Sequence, residues 1–168
     1  MSTAILEPAP PPATTTQADA AVAYEQERGK PVPGYNHSIV QTNLVGELLK
    51  QERYRPHSEL NLDLNGWRCV PDICLFPKTS GLVRDDIAWV TDVPAMAVEI
   101  FSPAQTMEQM THKVKKLLEA GVPSVWLVMP PVHLISVFQK DMAPVSVTQG
   151  TVTDPVTGVS VNVDAVFS

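Results

Sequence analysis

Hydrophobic positions recur along the chain with two periods, and these divide it into elements. Ile39, Val40, Leu44, Leu48 and Leu49 fall at helical spacings up to about Gln51, with Asn36 or Ser38 available as a cap. Leu60, Leu62 and Leu64 then alternate with Glu59, Asn61 and Asp63, the period of a half-buried strand. Asn65-Gly66 is a hairpin signal, so Trp67 to Phe76 is predicted to return antiparallel to that strand. Ala95 to Phe101 is a short apolar run between prolines and reads as a buried central strand. A helix from about Thr106 to Ala120 carries Met107, Met110, Val114, Leu117 and Leu118 on one stripe, and Gly121 stops it. Ser124 to Val128 and His133 to Phe138 are two more strands, separated by Pro130-Pro131. The tail has weak strand signals and a D-P-V-T-G turn at Asp154 to Gly158. Helix, hairpin, strand, helix, strand, strand is the order of an α/β domain with a central mixed β-sheet flanked by helices.

The rest of the chain lacks such periods. Met1 to Ala20, rich in Ala, Pro and Thr, is predicted to be a disordered leader to a domain over residues 21–168. Tyr24 to Gly34 is a polar connector that Pro31 and Pro33 should keep extended. Pro77 to Pro94 is loop-like and holds Asp85, Asp86 and Asp92.

Composition narrows the class. The chain has 168 residues, which suits one core, and 18% are charged, against roughly 25% in an average soluble protein. Disorder by charge excess is thereby excluded. No apolar run approaches the roughly 18 residues of a bilayer span, and the N-terminus lacks the basic start and apolar stretch of a secretory signal. A net charge of -6 argues against coating nucleic acid through bulk charge, although a local basic groove fits an acidic body. Cys69 and Cys74, five positions apart in one predicted strand, should point to opposite faces and stay unbridged. They read as core residues of a protein in the reduced cytoplasm.

Two carboxylates interrupt apolar runs. Glu99 sits in the middle of A-M-A-V-E-I-F, where an ionised group costs several kcal/mol unless it meets a cation. Asp72 follows Pro71, just before the run Ile73 to Phe76. At about 100° per residue, Lys113 lies on the flank of the Met110, Val114, Leu117 stripe, the lysine of its helix best placed to fold back toward a sheet. Structural roles are open for all three: Asp72 as a turn cap, Glu99 in a buried ion pair, Lys113 packing its stem at the stripe edge. His37 and Glu59 are secondary candidates, each with a capping or solvated alternative. Glu47 also fits a surface role beside Lys50, and His133 has no acidic neighbour in sequence.

Together P-D-I at Pro71 to Ile73 and V-E-I at Val98 to Ile100 resemble the metal-dependent PD-(D/E)XK nucleases. The strings N-H-S-I-V-Q-T-N-L, V-P-D-I-C-L-F-P, V-E-I-F-S-P, H-K-V-K-K-L-L-E-A-G-V, S-V-W-L-V and T-D-P-V-T-G, in this order across Gly34 to Phe167, are similar to the Uma family of restriction-endonuclease-like proteins. That resemblance implies a restriction-endonuclease-like fold, with Asp72 and Glu99 on adjacent strands as ligands of Mg²⁺ or Mn²⁺. In most of the superfamily a lysine stands two residues after the glutamate, where this chain has Phe101. In the Uma family it commonly comes from the following helix, which aligns with Lys113. His37 matches the histidine of the N-H-S string. The chain departs from the family at Met129, usually aspartate, at Leu117, usually aromatic, and in a shortened N-terminal hairpin.

The expected function is therefore that of a metal-dependent endonuclease acting on DNA as a homodimer, with Lys113 as its catalytic cation. DNA would be recruited by a patch such as Arg53, Arg55, Arg84, Lys115 and Lys116. The alternative is a nucleic-acid- or protein-binding module that keeps the fold without hydrolysis, which the displaced lysine and acidic charge favour. Nothing in the residues separates DNA from RNA as the phosphodiester.

Overall fold

A computed structural model describes residues 33–79 and 82–168. The expected leader and nearly all of the connector lie outside the described residues. Helix α1 spans Tyr35–Leu49, followed by β1 (Tyr54–Ser58), β2 (Leu62–Leu64), β3 (Trp67–Cys69), β4 (Ile73–Pro77) and β5 (Met96–Ile100). Helix α2 (Met107–Glu119) leads to β6 (Val125–Met129), and a 3₁₀ turn at Pro130–Val132 to β7 (Leu134–Phe138). Strands β8 (Val145–Val147), β9 (Thr151–Thr153) and β10 (Ser160–Asn162) precede the short helix α3 (Val163–Val166).

Six strands form the central sheet in the order β1-β4-β5-β6-β7-β8. Only β5 and β6 run parallel, because only they are joined through a helix, α2, long enough to carry the chain back across the sheet. All other neighbours in this sheet are antiparallel. Strand alternation sorts the core onto two faces. Met96, Val98 and Ile100 of β5, with Trp126 and Val128 of β6, pack against Val40, Leu44 and Leu48 of α1 and the β9–β10–α3 tail. Ala97, Val125 and Leu127 pack on the opposite side against Met110, Val114 and Leu117 of α2 and the β2–β3 hairpin. Among the described residues, no helix is long and apolar enough to cross a membrane.

Several expectations need correction. The Trp67 to Phe76 arm is not one strand. Pro71, which has no N–H to give a ladder, splits it into β3, paired with β2, and β4, paired with β1. Strand β1 itself, Y-R-P-H-S, has no apolar alternation and was not expected. Cys69 and Cys74 therefore lie in different strands and share one core cluster. Both are free thiols, and burial pushes Cys74 up to about 12 and Cys69 up to about 11. Helix α1 begins at Gly34 as its N-cap, with no side-chain cap from Asn36 or Ser38. Leu49 and Met107, placed on buried stripes by periodicity, are 61% and 46% exposed at helix ends where packing has run out. Residues 78–79 and 82–94 are coil apart from a parallel bridge of Val90 to Leu62, which ties this segment to the hairpin.

The D-P-V-T-G segment is more than a turn. Asp154 is fully buried, and its carboxylate accepts hydrogen bonds from Thr157 N–H (2.7 Å), Thr157 Oγ1 (2.8 Å), Val156 N–H (3.1 Å) and Trp126 Nε1 (2.9 Å). Ser124 Oγ donates a further, short bond to it. These donors join the tail to the start of β6, so a buried charge becomes a staple. Asp154→Ala should lower unfolding free energy by about 3 kcal/mol or more, because it orphans several buried donors at once. Urea titration of the two proteins checks this.

Candidate functional site

The site lies at the end of the β4–β5 pair. Strand alternation turns Met96, Val98 and Ile100 toward α1, so Glu99 must face α2, in the midst of an apolar layer. The antiparallel register pairs Ile73 with Val98, and continuing it one step brings Asp72 opposite Glu99. The break at Pro71 delivers Asp72 at that point. Its Oδ2 accepts a 2.6 Å hydrogen bond from the Ile100 N–H, which ties one carboxylate oxygen to β5. Asp72 is 2% and Glu99 1% exposed.

Helix α2 supplies the cation. Thr106 caps it through a reciprocal bond pair with Gln109, which fixes where the helix starts and hence which residues face the sheet. Lys113 Nζ donates to Glu99 Oε2 at 2.7 Å and to the Val70 carbonyl at 3.3 Å. Burial works against its charge, but the charge and hydrogen bond of Glu99, with Asp72 beyond, outweigh it and hold Lys113 above its ordinary value. Lys113 thus stays an ammonium across the neutral range. Phe101, two residues after Glu99, instead joins the α2-side core and donates its N–H to Val128.

Helix α1 closes the third side. His37 is 5% exposed, with Nε2 3.5 Å from Asp72 Oδ1. Gln41 Nε2 and the Glu59 N–H both donate to the Asp72 carbonyl, at 3.0 and 3.1 Å. Glu59 is not on the polar face of the hairpin strand, as the alternation implied. It follows β1 in a left-handed bend, φ 51°, which turns the chain toward the site. Asp72, Glu99, Lys113, His37 and Glu59 all line one pocket, together with Ser102. Its inner volume is about 10 Å³, close to the roughly 10–15 Å³ that one water needs.

Among the described residues, no three His, Cys, Asp or Glu side chains form a metal-holding group by themselves. Any cation here would rest on the two carboxylates, completed by backbone carbonyl and water. Buried, oxygen-only ligands suit a hard divalent ion, and the donor chemistry of Asp72 and Glu99 fits that description.

Other candidates lie elsewhere. Glu47 pairs with Lys50 and accepts a 3.4 Å bond from the Asn162 N–H; the Lys50 bond holds its carboxyl below the usual range. Lys115 reaches Glu119 at 3.8 Å, Lys116 lies 5.6 Å over the Trp67 ring and Arg53 stacks on Tyr54; none of the five basic residues lines the pocket. His133 stacks on Phe167. Ser102 and Gln105 were missed, since no spacing marks a serine beyond a strand end.

The chain matches the Uma2 family, described as "putative restriction endonuclease", over residues 17–164. A crystal structure of a "putative nuclease belonging to DUF820" from Anabaena variabilis shares the fold, with a TM-score of 0.66. It is 21% identical, and the match covers 82% of this chain and 83% of that one. No curated protein matches the sequence.

The ion pair generates a prediction of its own. Lys113→Met leaves Glu99 facing an apolar side chain and should cost about 3–5 kcal/mol, much of it recovered when Glu99→Gln is added. Since the lysine value is raised in the folded chain, its contribution is complete below the ordinary 10.5 and lost as pH climbs through the higher folded value. Urea midpoints of the four proteins at pH 8 and above 10.5 test both statements.

Proposed function

Because the chain belongs to the Uma2 family, we propose that it is a metal-dependent endonuclease hydrolysing DNA phosphodiester bonds, with Asp72 and Glu99 as metal ligands and Lys113 as the catalytic cation. The observation that carries this reading is the meeting of two buried carboxylates and one ammonium, from three separate segments, at the wall of one pocket. The structural relative described as a "putative nuclease" shares the fold that this reading requires.

Bound Mg²⁺ or Mn²⁺ would supply the positive charge that polarises a phosphate and acidifies a water. The chain's own groups do the positioning. The Ile100 N–H holds Asp72 by one oxygen, which keeps the other on the pocket side. Lys113 is charged and pre-aimed, and two of its three N–H donors go to Glu99 and Val70. The third can meet a phosphoryl oxygen as negative charge grows on it, a form of stabilisation that acts most strongly away from bulk water. The pocket is far too small for a base pair, so sequence would be read by surrounding loops. A two-fold homodimer bringing two such sites to one duplex, in the reducing cytoplasm that the two free thiols suit, belongs to the same proposal.

The closed Lys113–Glu99 pair and Phe101 in the usual lysine position favour a second reading, a binding module without hydrolysis. Calorimetric titration with Mn²⁺ separates the two. The enzyme reading expects one site per chain, weakened at least tenfold by Asp72→Asn or Glu99→Gln, with Mn²⁺-dependent DNA cleavage lost in both variants. A wild-type chain that takes up no Mn²⁺ overturns it.

A further inference from the structure

Two strings outside the carboxylate–lysine group meet in space: N-H-S, at the start of α1, and F-S-P, just past β5. Ser102 Oγ lies 3.0 Å from His37 Nδ1, and both side chains are more than nine-tenths buried. The opposite ring nitrogen, Nε2, faces Asp72 Oδ1 at 3.5 Å. Thus the imidazole spans from the serine hydroxyl to the carboxylate oxygen that the Ile100 N–H does not hold.

We propose that Ser102 and His37 form a positioning relay for Asp72, which sets the rotation of its carboxylate and so the affinity of the pocket for a divalent cation. This rests on the reading of Asp72 as a metal ligand. A neutral imidazole offers an N–H on only one side while accepting on the other. A hydroxyl donating to Nδ1 keeps the hydrogen on Nε2, where it points at Asp72. At 3.5 Å that N–H lies beyond the roughly 3.2 Å of a full hydrogen bond. It biases the carboxylate's orientation without the full grip of a shorter bond.

The relay itself is anchored at both ends. Ser102 N–H donates to Gln105 Oε1 at 3.0 Å, which fixes the serine at the exit of β5. His37 sits in the first turn of α1, and the same helix holds the Asp72 backbone through Gln41. One helix therefore touches both the main chain and the side chain of a single aspartate. Outer partners of this kind are worth roughly 10–100-fold in metal affinity.

The test is Mn²⁺ titration by calorimetry on the full chain and on His37→Leu, His37→Gln and Ser102→Ala, with thermal melts alongside. His37→Leu should weaken Mn²⁺ binding roughly tenfold. Ser102→Ala, which removes one hydroxyl and nothing else, should weaken it about fivefold, the worth of one neutral hydrogen bond. His37→Gln, whose amide can reach the same oxygen, should restore affinity to within about threefold of wild type, a rescue that bulk packing would not produce. Wild-type affinity in Ser102→Ala, or in a folded His37→Leu, overturns the relay, as does a His37→Gln no better than leucine. If the wild type itself binds no Mn²⁺, the metal-site reading fails first and the relay with it.

Discussion

A carboxylate in the middle of a fully buried strand is the constraint around which this protein is arranged. Every residue of β5 is buried, and Glu99 is the one among them that carries charge. Removing such a group from water costs several kcal/mol, and only a close cation with good geometry offsets that. Lys113 provides it at 2.7 Å, from a helix whose start is fixed by a capping box and whose apolar stripe is locked into the core. A small roll of α2 would break the pair, so the packing of Met110, Val114 and Leu117 is also what keeps the ammonium in the pocket.

The three buried carboxylates among the described residues illustrate how environment separates structure from chemistry. Asp154 is surrounded by hydroxyl, indole and amide donors from β6 and its own turn, with no cationic side chain among the bonds it accepts. Its role is to join the C-terminal hairpin to the sheet. Glu99 and Asp72 stand instead around a small pocket beside a lysine and a histidine. Two buried carboxylates gathered beside a lysine in one pocket are the kind of grouping that marks a candidate functional site.

Position in the fold explains why the pocket sits where it does. Asp72 enters at the one place where the return arm is broken, and the break exists because Pro71 cannot join a ladder. The antiparallel β4–β5 register then sets Asp72 against Glu99, while the β5–α2–β6 crossover returns a helix over the same strand end. His37 comes from the opposite face, through α1. Thus both layers of the sandwich converge on the end of β5.

Much of this was legible in the residues alone. Apolar periodicity located α1, α2, β5, β6 and β7 to within a few positions, because each buries one continuous face. A charge inside A-M-A-V-E-I-F marked Glu99, and 100° per residue selected Lys113, since both follow from local geometry. Strand β1 escaped because Tyr54–Ser58 has no alternation and belongs to the sheet only through its pairing with β4. The hairpin is shorter than its sequence suggests because Asn65-Gly66 fixes a turn without setting how far its arms stay paired. Ser102, Gln105, the left-handed bend at Glu59 and the donors around Asp154 were decided by tertiary structure. They bring together residues up to 65 positions apart, as with Ser102 and His37, and no pattern along a chain encodes contacts made across two layers of a sheet.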